Sequence, residues 1–430
     1  MQLLSDSSNF NPPKNQSQFF RYMQEPLRRR QRNGRTLALQ ILLFGLSFLT
    51  MLLAGAELYS GRYWLSWGIE DFPEAYKLRL SEIWLGLPYA VSFMTFLAFH
   101  EFGHYFTAVY HKVKSSLPYF IPVFIPIPGL FNIGSFGAVI RLRQVPDSTR
   151  KFYDIGIAGP LAGFVVSIFL LVYGFTHLPE KEAFILEKEP VYVEVFGEVP
   201  EPEELIAFIE KENAGSPEGE GQALAFYAGS SLLYEWLKNW LPEDPTQIPS
   251  QFDVIRYPYL FVGYLTLFFT ALNLLPMGQL DGGHVMYGMF GRKVAGRIAR
   301  GAVFVLLYLG GTGFMNFRNS GWTEWVMVSF YGLFVWWVLI KMLGRPLWKE
   351  AFLSALIILS TQVMLSWNFP ELQPNAIWLV YTWMVMRFVG LDHPRAWIEH
   401  RVSPGRKVLG WLAILIFILC FTPTPLGVVG

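Results

Sequence analysis

Two histidines and a glutamate lie close together in His100-Glu101-Phe102-Gly103-His104, which directly follows the apolar run 84–99. Residues at i and i+4 lie on one face of a helix, so both imidazoles point the same way. This spacing is typical of a two-histidine zinc site in which the intervening glutamate acts as a base. Ionisable side chains are costly at membrane depth, so their presence here indicates function.

A catalytic zinc site needs a third protein ligand and an open position for water, and we predict one zinc per chain. Asp281 is the predicted third ligand, because it follows the apolar run 256–276 on the same side of the membrane as His104. Glu101 is the predicted base. Asn273 is a candidate catalytic residue that donates a hydrogen bond to the oxyanion. An interhelical hydrogen bond is the other interpretation of Asn273.

The remaining histidines receive weaker assignments. His284 could be a fourth ligand, although a closed four-ligand site is structural rather than catalytic, which favours a position outside the ligand set. We assign no role to the others: His111, His177, His393 and His400. The small residues of Gly156-Ile-Ala-Gly-Pro-Leu-Ala-Gly163 predict close helix packing.

The composition indicates a polytopic membrane protein. The 430 residues are 53% hydrophobic and 16% charged, and the mean hydropathy is +0.33. We therefore expect an all-α fold of about 8–9 transmembrane helices. The single cysteine, Cys420, excludes a disulfide framework and a cysteine-based metal site. The apolar runs lie near 37–57, 85–107, 155–177, 256–276, 300–315, 322–342, 351–367, 375–390 and 408–424. The fifth run is short enough for a half-span.

Basic residues in every second loop predict a cytoplasmic N-terminus and an outer C-terminus. The stretch 178–255 would then lie outside; it contains 17 of the 33 acidic residues, a linker at 213–221 and a strand-like pattern at 191–196.

The basic tail is too weakly charged to predict nucleic-acid binding. The predicted parts are a cytoplasmic basic tail (1–36), an N-terminal transmembrane part (37–177), an acidic extracytoplasmic insert (178–255), a third-ligand helix with its loop (256–300) and C-terminal transmembrane helices (301–430).

The segment 113–145 predicts irregular backbone beside the histidines. Four prolines between 118 and 128 exclude a regular helix, and Val139–Arg143 has strand character. Non-helical backbone at membrane depth is tolerated where it is buried or lines a cavity. We therefore favour a re-entrant loop with a membrane-associated β-hairpin near the active site over an apolar cytoplasmic loop.

Four motifs together resemble the site-2 protease family of intramembrane zinc metalloproteases, especially its plant plastid and cyanobacterial branch. They are HEFGH, SLPYFIP with GSFGAVIRLR, DIGIAGPLAGF, and NLLPMGQLDGGH, and they span about 85–290. The resemblance implies that His100, His104 and Asp281 bind zinc and that Glu101 is the base. It also implies that Asn273 contacts the substrate or oxyanion, and that the 134–143 hairpin holds the unwound substrate as an added strand.

Members of that family cut a transmembrane helix of a substrate protein in regulated intramembrane proteolysis, so the implied partners are a membrane protein and the bilayer. The PDZ and CBS domains found in some relatives are not recognisable here. The lack of a Ser/Arg-rich transit peptide favours a bacterial inner membrane over a plastid membrane. The sequence predicts neither the substrate nor the oligomeric state.

Two other functions fit part of the pattern. A prenyl-protein-type membrane zinc protease resembles HExxH with a downstream glutamate ligand, so the identity of the third ligand separates it from the first interpretation. A non-enzymatic transporter or scaffold could use buried histidines and glutamate as a proton relay, and it would contain no stoichiometric zinc.

Overall fold

The computed structural model describes residues 34–64, 76–125, 132–215, 223–313, 322–369 and 375–429. Four arginines of the basic tail, Arg28, Arg29, Arg30 and Arg32, lie outside these ranges, as does the linker sequence beyond Gly215. Fourteen α-helices and four short strands are present among the described residues. The helices are α1 (Gly34–Ser60), α2 (Leu87–Tyr110), α3 (Thr149–Thr176), α4 (Lys181–Leu186), α5 (Pro190–Val195), α6 (Pro202–Gly215), α7 (Leu232–Trp240), α8 (Pro258–Leu274), α9 (Asp281–Phe290), α10 (Arg292–Gly311), α11 (Trp322–Leu343), α12 (Trp348–Asn368), α13 (Ala376–Met384) and α14 (Pro404–Cys420).

Six of the described helices are long and apolar enough to cross a bilayer: α1, α2 with the 3₁₀ turn before it, α3, α10, α11 and α12. A spanning helix needs about 20 residues, and α8, with 17, falls just short of that length. The described part of the chain therefore supports a multi-pass helical membrane protein. By length alone, the described helices give fewer spans than the predicted 8–9.

The expected half-span at 300–315 is wrong. Helix α10 begins at Arg292, before the apolar run, and contains 20 residues. Its first turns are polar, as expected for a helix end at the membrane interface. Hydropathy alone assigns such residues to a loop. Basic side chains can extend from a helix end toward the aqueous interface, so this end can remain helical.

A β-hairpin is present in the segment after α2, as predicted. Strand β1 (Tyr119–Pro122) pairs antiparallel with β2 (Ser135–Val139). The predicted strand at Val139–Arg143 is too late in the chain: it contributes Val139 to β2 and an isolated bridge at Leu142. The strand starts early because Ser135 is fixed at its first position, where its hydroxyl donates to the Ile121 carbonyl at 3.0 Å.

The hairpin is fastened to α1. The Thr50 hydroxyl donates to the Gly134 carbonyl at 2.6 Å, and the Gln40 amide donates to the Leu117 carbonyl at 2.8 Å. Gly134 has a φ of 79°, and a Cβ there would lie 2.5 Å from the Met51 Cα. A side chain is therefore excluded by both conformation and space. Helix α1 and the hairpin form one packed unit against α2.

The acidic insert is mostly helical. The strand predicted at 191–196 is wrong, because Pro190 begins α5 there. Proline at the first helical position has its φ preset for a helix and lacks only an N–H that would be unpaired anyway, which outweighs the alternating pattern. Strand β3 (Ala225–Ala228) in the insert pairs antiparallel with β4 (Leu426–Val429) at the C-terminal end. The insert and this end therefore lie side by side, consistent with the loop charges that predict both on one side.

We predict that cysteines at the paired positions Phe226 and Val428 form an intramolecular disulfide under mild oxidation. Residues directly opposite in an antiparallel pair have Cβ atoms about 4.5–5.5 Å apart, close enough to be bridged with small backbone adjustment. Peptide mapping by mass spectrometry detects the link. The control pair Ala225→Cys/Leu426→Cys lies at opposite ends of the two-stranded sheet. Equal cross-linking of both pairs would contradict the register.

Candidate metal centre

Three potential metal ligands converge between α2 and the start of α9. The Nε2 atoms of His100 and His104 are 3.1 Å apart. Oδ2 of Asp281 lies 3.5 Å from the first and 3.3 Å from the second. Both histidines are buried, and Asp281 is partly exposed. Among the described residues these three form the cluster of histidine and carboxylate groups able to hold a metal ion.

The separations fit a tetrahedral ion. Zinc binds histidine nitrogen and carboxylate oxygen at about 2.0–2.2 Å, which places tetrahedral ligand atoms about 3.3–3.5 Å from one another. The three observed distances lie at or close to this value. The donor set, two imidazoles and one carboxylate, also leaves a fourth position for water or substrate.

The ring of His104 is held with a lone pair toward the cluster. Its Nδ1 donates to the Ile155 carbonyl of α3 at 2.7 Å, since a carbonyl oxygen can only accept. In the neutral ring Nε2 then has no hydrogen and faces the other two donors. Such an outer partner is typical of metal-binding histidines, whose ring orientation it fixes.

The tight turn between α8 and α9 brings Asp281 to this position. Asp281 follows the apolar run as a separate element, because α8 ends at Leu274 and Asp281 begins the helix α9. The intervening turn folds tightly: a Cβ on Gly282 would lie 2.0 Å from the Leu274 carbonyl oxygen. Pro276 lacks the N–H needed to continue α8, so the turn is built into the sequence.

Glu101 and Asn273, the two predicted catalytic residues, both lie beside the cluster. Glu101 is buried next to His100, and its carboxylate lies close to the backbone of Ile140, just beyond β2. The Asn273 amide nitrogen lies 3.5 Å from His100 Nε2. The last turn of α8 thus reaches the site although the helix does not continue to Asp281.

Three glycines on α3 make room for the aromatic rings of the site. A Cβ on Gly159 would lie 2.1 Å from His104 Nε2, and one on Gly163 would lie 2.8 Å from the Phe96 ring and 3.4 Å from His100 Nδ1. A Cβ on Gly156 would lie 2.6 Å from the His284 Cβ. The predicted close packing is confirmed, and much of what packs against these glycines is imidazole.

Two histidine contacts in the structure have no signal in the local sequence. His393 was assigned no role, yet it is buried and its Nε2 lies 2.6 Å from Nδ1 of His284, which is outside the ligand cluster. His111 was also assigned none, yet its Nε2 lies 2.8 Å from Asp154 Oδ2. Both partners are distant in sequence, so no local spacing could have indicated them.

The part of the chain that holds this site is similar to known proteins. A profile described as peptidase family M50 matches residues 88–311, just over half of the chain. The chain belongs to peptidase family M50. The matched region of this M50 chain contains His100, His104, Asp281, Glu101 and Asn273, and it confirms the resemblance to site-2 proteases. No solved structure matches the chain significantly.

Several plant proteins are curated relatives of the M50 chain. Over 208 residues it is 31% identical to the probable zinc metalloprotease EGY1, chloroplastic, of Arabidopsis thaliana, covering 48% of this chain and 30% of that protein. It is 28% identical over 220 residues to EGY1 of Oryza sativa subsp. japonica, covering 51% and 31%. It is 28% identical over 233 residues to EGY2 of Oryza sativa subsp. indica, covering 54% and 33%. The chain thus spans about a third of the length of these relatives.

We predict that Gly159→Ala lowers metal affinity at least about tenfold, because the added methyl group displaces the His104 ring from its outer partner. The measurement is metal content after competition with a chelator, alongside circular dichroism to follow helicity. Gly301→Ala is the matched control, since nothing lies within 4 Å of a Cβ there. Metal retention in Gly159→Ala equal to that of the control would refute the assigned packing.

Proposed function

We propose that the chain is a membrane-embedded zinc endopeptidase that hydrolyses a peptide bond in or near a transmembrane helix of a membrane-protein substrate. The observation that supports this most is the convergence of His100, His104 and Asp281, two of them on a helix long enough to span the bilayer. Membership of family M50 and the zinc metalloprotease names of the relatives support the same function.

The roles of the residues follow from their positions. Zinc, when bound, lowers the pKa of its water to about 7 and polarises the substrate carbonyl. Glu101 takes a proton from the attacking water and passes it to the leaving amine. Asn273 donates a hydrogen bond to the oxygen on which negative charge develops. His104 keeps its lone pair toward the site because Ile155 accepts its other ring hydrogen.

The hairpin is suited to holding an extended substrate. Ile140, whose backbone lies close to Glu101, follows directly after β2, so the hairpin ends beside the proposed base. Phe136 and Val139 of β2 are exposed. A substrate helix must unwind before its peptide bond can be attacked, and adding it as a strand satisfies the freed backbone groups. This supports regulated intramembrane proteolysis as the process in which the chain acts.

The alternative functions receive less support. Asp281, not a glutamate, completes the cluster, which separates this site from the prenyl-protein-type pattern. A proton relay would not need three ligand atoms at tetrahedral separations. We further propose that the basic loops and the N-terminal tail face the cytoplasm, or the corresponding compartment of an organelle. The bacterial inner membrane stays a prediction from sequence.

We predict that Glu101→Gln retains about one zinc per chain but loses cleavage by about 10²–10⁴-fold, because the amide cannot take a proton. His104→Ala should lose both zinc and cleavage. Zinc content of the detergent-purified protein and cleavage of a reconstituted transmembrane substrate are the measurements. Wild-type protein that neither contains zinc nor takes it up would overturn the proposed function.

We predict that Asn273→Ala lowers kcat by about 10²–10³-fold while zinc content and KM stay near wild type, because a transition-state donor is lost. Thr270→Ala is the control: it removes a buried hydroxyl of α8 that bonds only within its own helix. A variant with normal kcat and a lowered unfolding temperature would assign Asn273 to helix packing instead.

A further inference from the structure

The segment 391–399, between α13 and α14, packs against the helix that begins with Asp281. Leu391, His393 and Ala396 of this segment are buried. It lies about 80 residues beyond the end of the family match, and neither the family nor the relatives assign it a role. Its contacts with α9 are specific and polar, which distinguishes it from a loop that merely covers the helix.

The first contact is a bond between two histidines. Nδ1 of His393 donates to the Pro394 carbonyl at 2.6 Å, because that carbonyl can only accept. Burial lowers the pKa of His393 to about 3, so the ring is neutral and its Nε2 has a free lone pair. This lone pair accepts the Nδ1 hydrogen of His284 at 2.6 Å. His284 is therefore the donor and His393 the acceptor of this hydrogen bond.

The second contact is one turn further along α9. The Tyr287 hydroxyl donates to Glu399 at 2.8 Å and accepts from the Ala396 N–H at 3.0 Å. The Tyr287 ring also stacks on His393, with centroids 4.2 Å apart. Residues three apart on a helix are neighbours, so Asp281, His284 and Tyr287 form one stripe along α9. Asp281, at one end of the stripe, is the third candidate ligand. His284 and Tyr287 are held by segment 391–399.

The same segment is anchored to two elements that do not belong to α9. The Leu391 carbonyl accepts from the Gly278 N–H at 3.2 Å, within the turn that precedes α9. Ile398 exchanges backbone hydrogen bonds with Asp147 and Thr149 at the start of α3, at 2.9 and 3.1 Å. Helix α9 has ten residues and no side-chain cap at its N-terminus. Its rotation about its own axis is therefore set by contacts with neighbouring elements, and the contacts with segment 391–399 are the polar ones on the stripe that begins with Asp281.

We propose that segment 391–399 is a positioning element that sets the rotation of α9, through His284–His393 and Tyr287, and so presents Asp281 to the two histidines. His284 and His393 are positioning residues, since neither belongs to the ligand cluster. The inference rests on the proposed function only in taking Asp281 as a metal ligand. It assigns part of the C-terminal half to the control of metal affinity.

The test compares His393→Leu with His393→Gln in the full-length protein. Leucine removes the acceptor for His284, whereas the glutamine oxygen can replace Nε2. His393→Leu should weaken zinc binding by about 10–100-fold in competition with a chelator, the usual effect of losing an outer partner. It should also speed hydrogen exchange in 281–290 of the metal-free protein, while KM for substrate stays unchanged. His393→Gln should lie within a few-fold of wild type.

His400→Leu is the matched control, because it makes the same substitution at an exposed position of the same loop. If His393→Leu does not fold, Tyr287→Phe removes only one hydroxyl and should shift zinc affinity and exchange in the same direction. Normal zinc affinity and normal exchange in the folded variant would overturn the positioning role. Absence of zinc from the wild type would instead overturn the proposed function, while the exchange of 281–290 would still report on the segment.

Discussion

The candidate site depends on holding three lone-pair donors close together between packed helices, with both histidines buried. Two imidazole nitrogens and a carboxylate oxygen lie within 3.5 Å of one another, on helices packed in an apolar surrounding. Without a cation this arrangement is electrostatically unfavourable, and in a low-dielectric medium the cost is larger than in water. The glycines of α3 and the break before α9 are both needed to achieve it.

The close approach of α2 and α3 helps to hold the three donors together. A Cβ on Gly103 would lie 2.7 Å from the Ala158 carbonyl oxygen, so the two helices are nearly in backbone contact there. That approach lets a main-chain carbonyl of α3 reach the His104 ring. Small residues between membrane helices usually serve packing alone. Here they also determine which ring nitrogen of His104 has its lone pair toward the site.

The parts of the site that sequence predicted are those encoded locally. His100 and His104 share a face by helical periodicity, and Asp281 was found from its place after an apolar run. Local prediction failed where a short-range pattern competed with a single residue. At Pro190 the alternation predicted a strand, but proline begins a helix. It also failed for contacts between distant segments. His284 and His393 are 109 residues apart, and no spacing rule connects them.

The pairing of β3 with β4 has a consequence for how the chain matures. Its partners are separated by about 200 residues, and β4 lies at the very end of the described chain. During synthesis the candidate ligands and the insert emerge before segment 391–399 and β4. Domains generally fold as their sequence emerges, and contacts of long sequence separation form late. A nascent chain that has not yet reached residue 399 would contain all three candidate ligands but would lack the proposed positioning contacts of segment 391–399 with α9.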